Sequence, residues 1–389
     1  MTKLDIVTDE GLAQLCQQLG QHPHIAIDTE FLRERTYYPA LALVQIAYPG
    51  SEPILIDPLK VRQWAPFFEI MDNPRIVKIL HAGRQDLEIF NLKMGKLPRS
   101  VFDTQIAAAM CGLGEQISYG ALVQKTLGVQ LQKSDGYTDW MQRPLTTKQV
   151  AYARDDVRYL IAAYEELCKR SQRLGRQAWL DEEMAESMDP SIYASDPDQA
   201  WSRVKKWSSL PDRDLVVLQA LARWRELRAR ALDKPIRFVV SDEGMISVAR
   251  MKHVTLEDLK ARRSFTRLSL SSFADDLMAV HEKARKIPKD QWPVFHTKTR
   301  IPSEESDLVA ELAWALLHLI ARDSEISTSR LVTKKDLPSL VDQLVRGKDV
   351  SSHPLFHGWR YTMAGSKVED LVHGRLSLTV LKGKVVQVT

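Results

Sequence analysis

Short apolar runs broken by Pro and Gly dominate the first part of the chain, and longer stretches with apolar positions three and four apart dominate the rest. Residues 4–7 read as a short strand, and Thr8 as the N-cap of a helix reaching Leu19. Strand-like runs follow at 25–31, 41–48 and 54–56, punctuated by Pro39, Pro49, Gly50, Pro53 and Pro58. Residues 75–80 form a further strand candidate. Helical patterns cover 85–94, 105–110 and 119–127, and one long helix is expected from Thr147 to about Leu174. Strands first, then helices with a few strands between them, predict an α/β domain: a mixed sheet flanked by helices.

Periodicity weakens over 176–208, where Met188-Asp189-Pro190 and Ser195-Asp196-Pro197-Asp198 suggest a connector. Beyond Pro211 the pattern is almost wholly helical and holds a weak internal repeat. Asp214-Leu215-Val216 opens a helix containing Leu221 and Trp224. Asp307-Leu308-Val309 opens another containing Trp314 and Leu317. Arg237-Phe238-Val239 follows the first and Arg330-Leu331-Val332 the second. At the end Leu376, Leu378 and Val380 alternate, Lys382-Gly383 can turn, and Val386 and Val388 alternate again, which predicts a hairpin. The expected organisation is a domain over 1–175, a connector over 176–208, and two mainly α-helical domains over 209–290 and 300–389, the second ending in the hairpin.

The 389 residues suit two or three domains, and 44% hydrophobic with 27% charged residues is an ordinary globular balance. Cys16, Cys111 and Cys168 are far apart and form no Cys-x-x-Cys pair, so a reducing, cytoplasmic setting is expected rather than a disulfide framework or zinc site. Residues 1–10 lack an apolar core and do not read as a signal peptide. The apolar stretch 308–321 contains Glu311 and is too short for a bilayer, so no membrane association is expected. Net charge is +4. Residues 1–170 carry 19 Lys and Arg against 20 Asp and Glu, which leaves an excess of five positive charges beyond them. That excess suits contact with a polyanion, although solvated helix faces would account for it equally well.

The chemistry concentrates in four carboxylates. Asp28 and Glu30 end the apolar run His24-Ile25-Ala26-Ile27, and on a strand i and i+2 share a face. Like charges so placed repel unless a cation neutralises them; a loop starting at Asp28 would remove the conflict. Asp86 follows the run 76–80 through His81-Ala82-Gly83 and falls near the start of a helix, where the helix dipole alone favours a carboxylate. On the long helix Val150, Ala153, Val157, Leu160, Ile161 and Tyr164 form one apolar face. Asp156 lies about 70° from its centre, whereas Asp155 points away. Tyr152 and Asp156, at i and i+4, are neighbours at the margin of that face. Four carboxylates without Cys suit hard cations, Mg²⁺ or Mn²⁺, and two such ions support phosphodiester cleavage by activating water and stabilising the leaving oxygen. Tyr152 could orient that water. Asp103, ahead of the helix at 105–110, reads as its cap, and His81 as a structural histidine.

In this order these residues resemble the DEDD exonuclease superfamily, in its tyrosine-containing subclass. Asp28-Thr29-Glu30 resembles the first motif, Asp86 the second, and Tyr152-x-x-x-Asp156 the third. Within that superfamily the ribonuclease D family is resembled by Arg35-Thr36-Tyr37-Tyr38-Pro39 with Leu43-Val44-Gln45. It is resembled again by His81-Ala82-Gly83 with Asp86-Leu87, and by Lys133, Asp139-Trp140, Arg143-Pro144-Leu145 and Tyr152-Ala153. The helical repeats resemble HRDC domains: Trp224-Arg225-Glu226, Ala229 and Asp233-Lys234-Pro235 carry the first match, and the second lacks a Trp-Arg-Glu equivalent. The resemblance implies a ribonuclease H-like fold and two divalent ions. Asp28, Glu30 and Asp156 would bind the ion beside the attacking water. Asp28 would also touch the second ion, Asp86 would help hold it, and Tyr152 would position the nucleophile. It further implies stepwise release of 5′-monophosphates from RNA 3′ ends and trimming of tRNA precursors, with HRDC domains shaping the RNA path. A monomer is favoured.

A DNA 3′→5′ exonuclease would use the same carboxylates, and no single residue announces a contact to the 2′-OH. An RNA-binding scaffold with a dead nuclease fold would have lost a carboxylate, and none is lost.

Overall fold

The computed structural model of the chain describes residues 4–131, 138–262, 264–265, 267–293 and 302–388. Lys133 lies outside them.

The first domain is built on a five-stranded mixed sheet of β1 (His24–Leu32), β2 (Ala40–Ala47), β3 (Ile54–Ile56), β4 (Val77–Leu80) and β5 (Val101–Asp103) in the order β3-β2-β1-β4-β5. β1 runs antiparallel to β2 and β2 to β3, whereas β1–β4 and β4–β5 are parallel. Central β1 is covered on both faces, so Ile25, Ala26 and Ile27 are fully buried in succession. On one face lie α1 (Asp9–Leu19), α2 (Ala65–Asp72) and α3 (Arg84–Met94), whose Leu12, Phe67, Ile89 and Phe90 pack with Ile25 and Ile27. After β5 come α4 (Thr104–Met110), α5 (Tyr119–Leu127), α6 (Thr147–Arg158) and α7 (Leu160–Arg173). The last two cover the other face: Val157 and Leu160 pack with Ala26 and Ile79.

Three expectations need correction. Residues 4–7 form only a bridge, Ile6 to Ile56, because the Asp5 carboxylate takes the Leu55 amide at 2.9 Å in place of a continuing ladder. The single helix expected from Thr147 to Leu174 is two helices. At Tyr159 (φ −107°, ψ 0°) the backbone leaves the helix, and its amide donates to the Tyr119 hydroxyl at 3.1 Å. The aperiodic stretch after it holds an 11-residue helix, α8 (Gln177–Ser187), then short α9 (Pro190–Tyr193). What fixes α8 is distant in sequence. Glu183 accepts from Trp359 Nε1 at 3.1 Å and from the Arg360 guanidinium, which also reaches Glu186 at 3.1 Å.

Beyond it α10 (Asp212–Ala231), α11 (Ile236–Val239), α12 (Asp242–Ala249), α13 (Leu256–Lys260) and α14 (Arg267–Arg285) enclose a separate core around Leu218, Leu221, Met245 and Leu277. Then follow α15 (Glu304–Asp323), α16 (Leu337–Val345), α17 (Gly358–Arg360) and α18 (Ser366–Val372). α10 and α15, the opening helices of the two repeats, both have 20 residues. Their cores differ. Leu316, Leu317, Ile320 and Trp359 join Met110 and Leu167 of the first domain and Leu180 of α8 in one cluster. At that seam Gly112 lies so close that a Cβ would sit 2.3 Å from the Glu325 carbonyl oxygen. The chain ends in the expected hairpin, β6 (Ser377–Leu381) and β7 (Lys384–Val388), with Lys382 and Gly383 both at positive φ as a tight hairpin turn requires.

Candidate active site

β1 supplies two of the carboxylates. Its apolar half anchors it in the sheet, and Asp28 and Glu30 then project from one face, opposite Gln45 and Leu43 of β2. The ladder slips between Glu30 and Phe31, a bulge that turns the strand end at the site. α6 lies over the same face and brings Asp156. Its approach is held by Arg143, which grips Asp57 through Nε (3.0 Å) and Nη2 (2.8 Å) and the Ala42 carbonyl of β2 at 2.6 Å. Oxygens of Asp28, Glu30 and Asp156 all lie within 4.8 Å of one another.

Asp86 stands apart from that trio. It is buried in the first turn of α3 and accepts a hydrogen bond from the Thr29 hydroxyl, between Asp28 and Glu30 in sequence. The turn before it is tightly specified. Ala82 has φ 54°, and a Cβ on Gly83 would lie 2.7 Å from Leu80 Cβ. The Asp103 carboxylate takes the amides of Ala82 (3.0 Å) and Gly83 (2.8 Å) while capping α4 through Gln105 N (2.8 Å). Asp103 is thus the expected cap, and it also fixes the approach to Asp86. His81 spends both ring nitrogens at 2.9 Å on Thr104 Oγ1 and the Ile117 carbonyl, as a structural histidine does.

The two adjacent aspartates of α6 diverge as the helical phase predicts. Asp155 is 43% exposed and accepts from Arg158 Nε at 3.1 Å. Asp156 turns inward, and its Oδ2 is buried without a hydrogen-bond partner. Its carboxylate accepts from the Tyr152 hydroxyl. Gln45, opposite Asp28, is also fully buried with neither amide atom bonded.

Burial raises every carboxyl of the group, and repulsion from its other members adds to this at Asp28 and Glu30. Burial, then Asp86, Asp156 and Glu30, push Asp28 well above the carboxylate range. Glu30 is raised to about 9 by burial, Asp156 and Asp86. Asp156 is raised to about 7 by burial and Asp155, and Asp86 to about 6 mainly by burial. An all-oxygen donor set, an unpartnered buried carboxylate oxygen and three converging acids fit a hard divalent cation, whose charge would remove the repulsion.

A stability prediction follows. An unfolded carboxyl titrates near 4, below the folded values, so between about pH 4 and 9 the folded metal-free chain holds more protons than the unfolded one. Stability from this site is therefore fully present below pH 4 and lost as pH rises through the folded values. A cation binds the deprotonated acids, so its stabilisation grows over the same window. The rise in Tm on replacing EDTA by Mn²⁺ should be larger at pH 8.5 than at pH 5.5, and Asp156→Asn should shrink it. A rise independent of pH in both proteins would contradict this electrostatic account.

No helix among the described residues is long and apolar enough to cross a membrane. Over residues 5–172 the chain matches the family described as 3′-5′ exonuclease, and over 214–280 the HRDC domain. Ribonuclease D of Sphingobium indicum is 39% identical over 386 residues, covering 98% of this chain and 97% of that protein. Ribonuclease D of Bartonella henselae is 37% identical over 364 residues, covering 93% and 88%. The crystal structure of Escherichia coli RNase D, an exoribonuclease involved in structured RNA processing, matches with a TM-score of 0.84 at 33% identity over 96% of this chain and 99% of that one.

Proposed function

This chain belongs to the ribonuclease D family of 3′→5′ exoribonucleases, and we propose that it removes nucleotides one at a time from RNA 3′ ends as 5′-monophosphates, with 3′ maturation of tRNA precursors as its task. The observation that carries this reading is the convergence of Asp28, Glu30 and Asp156 around a buried, unpartnered oxygen, with Asp86 beside them.

In this reading Asp28, Glu30 and Asp156 hold one divalent ion, and Asp28 with Asp86 a second. Two ions, Mg²⁺ or Mn²⁺, would lower the pKa of the attacking water and neutralise charge on the leaving 3′ oxygen. The protein's own groups do the rest. Tyr152 is held by Asp156, and burial with the surrounding carboxylates keeps its hydroxyl protonated far above the usual tyrosine range. With that proton directed at Asp156, the hydroxyl oxygen can accept a hydrogen bond from the water and so orient it. Thr29 fixes Asp86, and Asp103 fixes the turn ahead of it.

The domain division proposed is the nuclease over 1–175, a connector over 176–208, and HRDC-like domains over 209–290 and 300–389. The helical domains supply RNA affinity rather than chemistry, as their excess of basic residues suggests. A cytoplasmic monomer suits this task.

Tyr152→Phe keeps the ring against Trp140, 6.0 Å away, and removes the hydroxyl. Loss of an orienting or acid–base group costs about 10²–10⁴-fold. The low end or less is expected here, because the four carboxylates are intact. An unchanged kcat in a folded variant would reduce Tyr152 to packing. The test of the substrate class is to supply RNA and DNA oligonucleotides of one sequence, with structured and unstructured 3′ ends. Faster shortening of RNA is expected; preference for DNA would overturn the reading.

A further inference from the structure

A cleft of about 1020 Å³ separates the nuclease domain from the first helical domain. It lies at the upper end of the range of ligand pockets, about 300–1,000 Å³, with room for a stretch of extended chain. None of the four carboxylates lines it, but its nuclease wall is close to them along the chain: Arg33 follows Glu30 by three residues in the β1–β2 loop, and Arg84 precedes Asp86 by two in the first turn of α3. Its far wall comes from the end of α10 and from 235–237.

Five arginines line it against three glutamates. Arg33 pairs with Glu88, and Arg203 and Arg230 with Glu226. Arg84 and Arg237 have no carboxylate partner among the described residues, and both are exposed. Arg237 lies 5.2 Å over the ring of Phe238, which is 58% exposed, and Tyr38 on the opposite wall is 39% exposed. Unpaired cations with exposed aromatic faces along a groove are what a single nucleic-acid strand needs: charge for phosphates and flat surfaces for bases.

The two walls are fixed to each other. Asp233, at φ 46° just past α10, accepts from the amides of Tyr37 (3.0 Å) and Tyr38 (3.1 Å). Tyr37 donates its hydroxyl to Glu226 and accepts from Arg230 Nε at 3.1 Å. The groove is therefore preformed.

We propose that this cleft holds the single-stranded RNA immediately upstream of the 3′ end, with Arg84 and Arg237 on its phosphates and Phe238 under a base. The proposal rests on the exoribonuclease reading and adds which helical domain touches the substrate, and with which residues. α11, through Arg237 and Phe238, forms a wall of the substrate site.

The test uses the full chain, a 12-nucleotide single-stranded RNA and a dinucleotide, both 5′-labelled. Phe238→Ala should raise KM for the 12-mer about tenfold and leave kcat unchanged, and Phe238→Trp should restore KM. Arg84→Ala and Arg237→Ala should each weaken 12-mer binding and lower the salt slope by about 0.7, the value for one phosphate on a single strand. KM for the dinucleotide should change little in Phe238→Ala and Arg237→Ala. Arg250→Ala, in a separate basic hollow on α12, should match the wild type. Unchanged 12-mer affinity and salt slope in all three cleft variants overturn the proposal, as does equal weakening by Arg250→Ala. A wild-type protein that fails to shorten the 12-mer RNA would overturn the exoribonuclease reading instead, and is read in the same assay.

Discussion

Asp156→Asn is expected to slow single-turnover RNA cleavage by several orders of magnitude, and Asp155→Asn by a few-fold at most. The two residues are adjacent, alike in charge and on one helix, so composition cannot separate them. Geometry does. Asp156 converges with Asp28 and Glu30, its Oδ2 unpartnered and its carboxyl raised to about 7 by burial. Asp155 is 43% exposed and paired with Arg158. The amide preserves size but removes the charge needed for a cation. That loss should exceed the about 10²–10³-fold that follows removal of one transition-state hydrogen-bond donor. Because the change also relieves repulsion among buried acids, the metal-free Asp156→Asn protein should melt higher than the metal-free wild type. An active Asp156→Asn alongside an inactive Asp155→Asn would show that α6 is wrongly placed against the site.

Chelation should have as large an effect. In EDTA hydrolysis should fall to background, and Mg²⁺ or Mn²⁺ in excess should restore it. Without a cation, burial disfavours ionisation of all four carboxyls, and neighbouring carboxylates add to this at Asp28 and Glu30. The protein's other nucleophiles are poorly suited to the role. Burial pushes the Cys16 thiol up to about 12 and Cys111 to about 11, and both nitrogens of His81 are engaged. The proposed reading assigns the attack to water activated at the carboxylate group. Full activity in EDTA would remove the metal from the account.

Much of this was legible in the chain because the relevant periods are local. Period-two alternation put Asp28 and Glu30 on one face of β1, and the 100° step along α6 separated Asp156 from Asp155. The strands at 24–32, 40–47 and 54–56 and the helices α1, α3, α4 and α5 fall within a residue or two of the apolar runs that announced them. What escaped is decided at a distance. α2 (Ala65–Asp72) is too uniformly apolar to show a face, and β5 has three residues. The break at Tyr159 depends on a hydroxyl 40 residues away, and α8 depends on Arg360. Within the site, Asp86 drew its place from the family motif, since a carboxylate in a first helical turn is unremarkable. The roles of Thr29, Asp103 and Arg143 lie in side-chain hydrogen bonds that no period records.

The central claim is that this carboxylate group hydrolyses RNA from its 3′ end, one nucleotide at each turnover. The direct measurement is a time course of the full chain with Mg²⁺ and a 5′-labelled, single-stranded RNA, resolving products to one nucleotide and identifying the released species. The account predicts a ladder shortening by single nucleotides, with nucleoside 5′-monophosphates accumulating in step. Internal fragments, release of the 5′ label as a mononucleotide at the outset, or nucleoside 3′-monophosphates would contradict it.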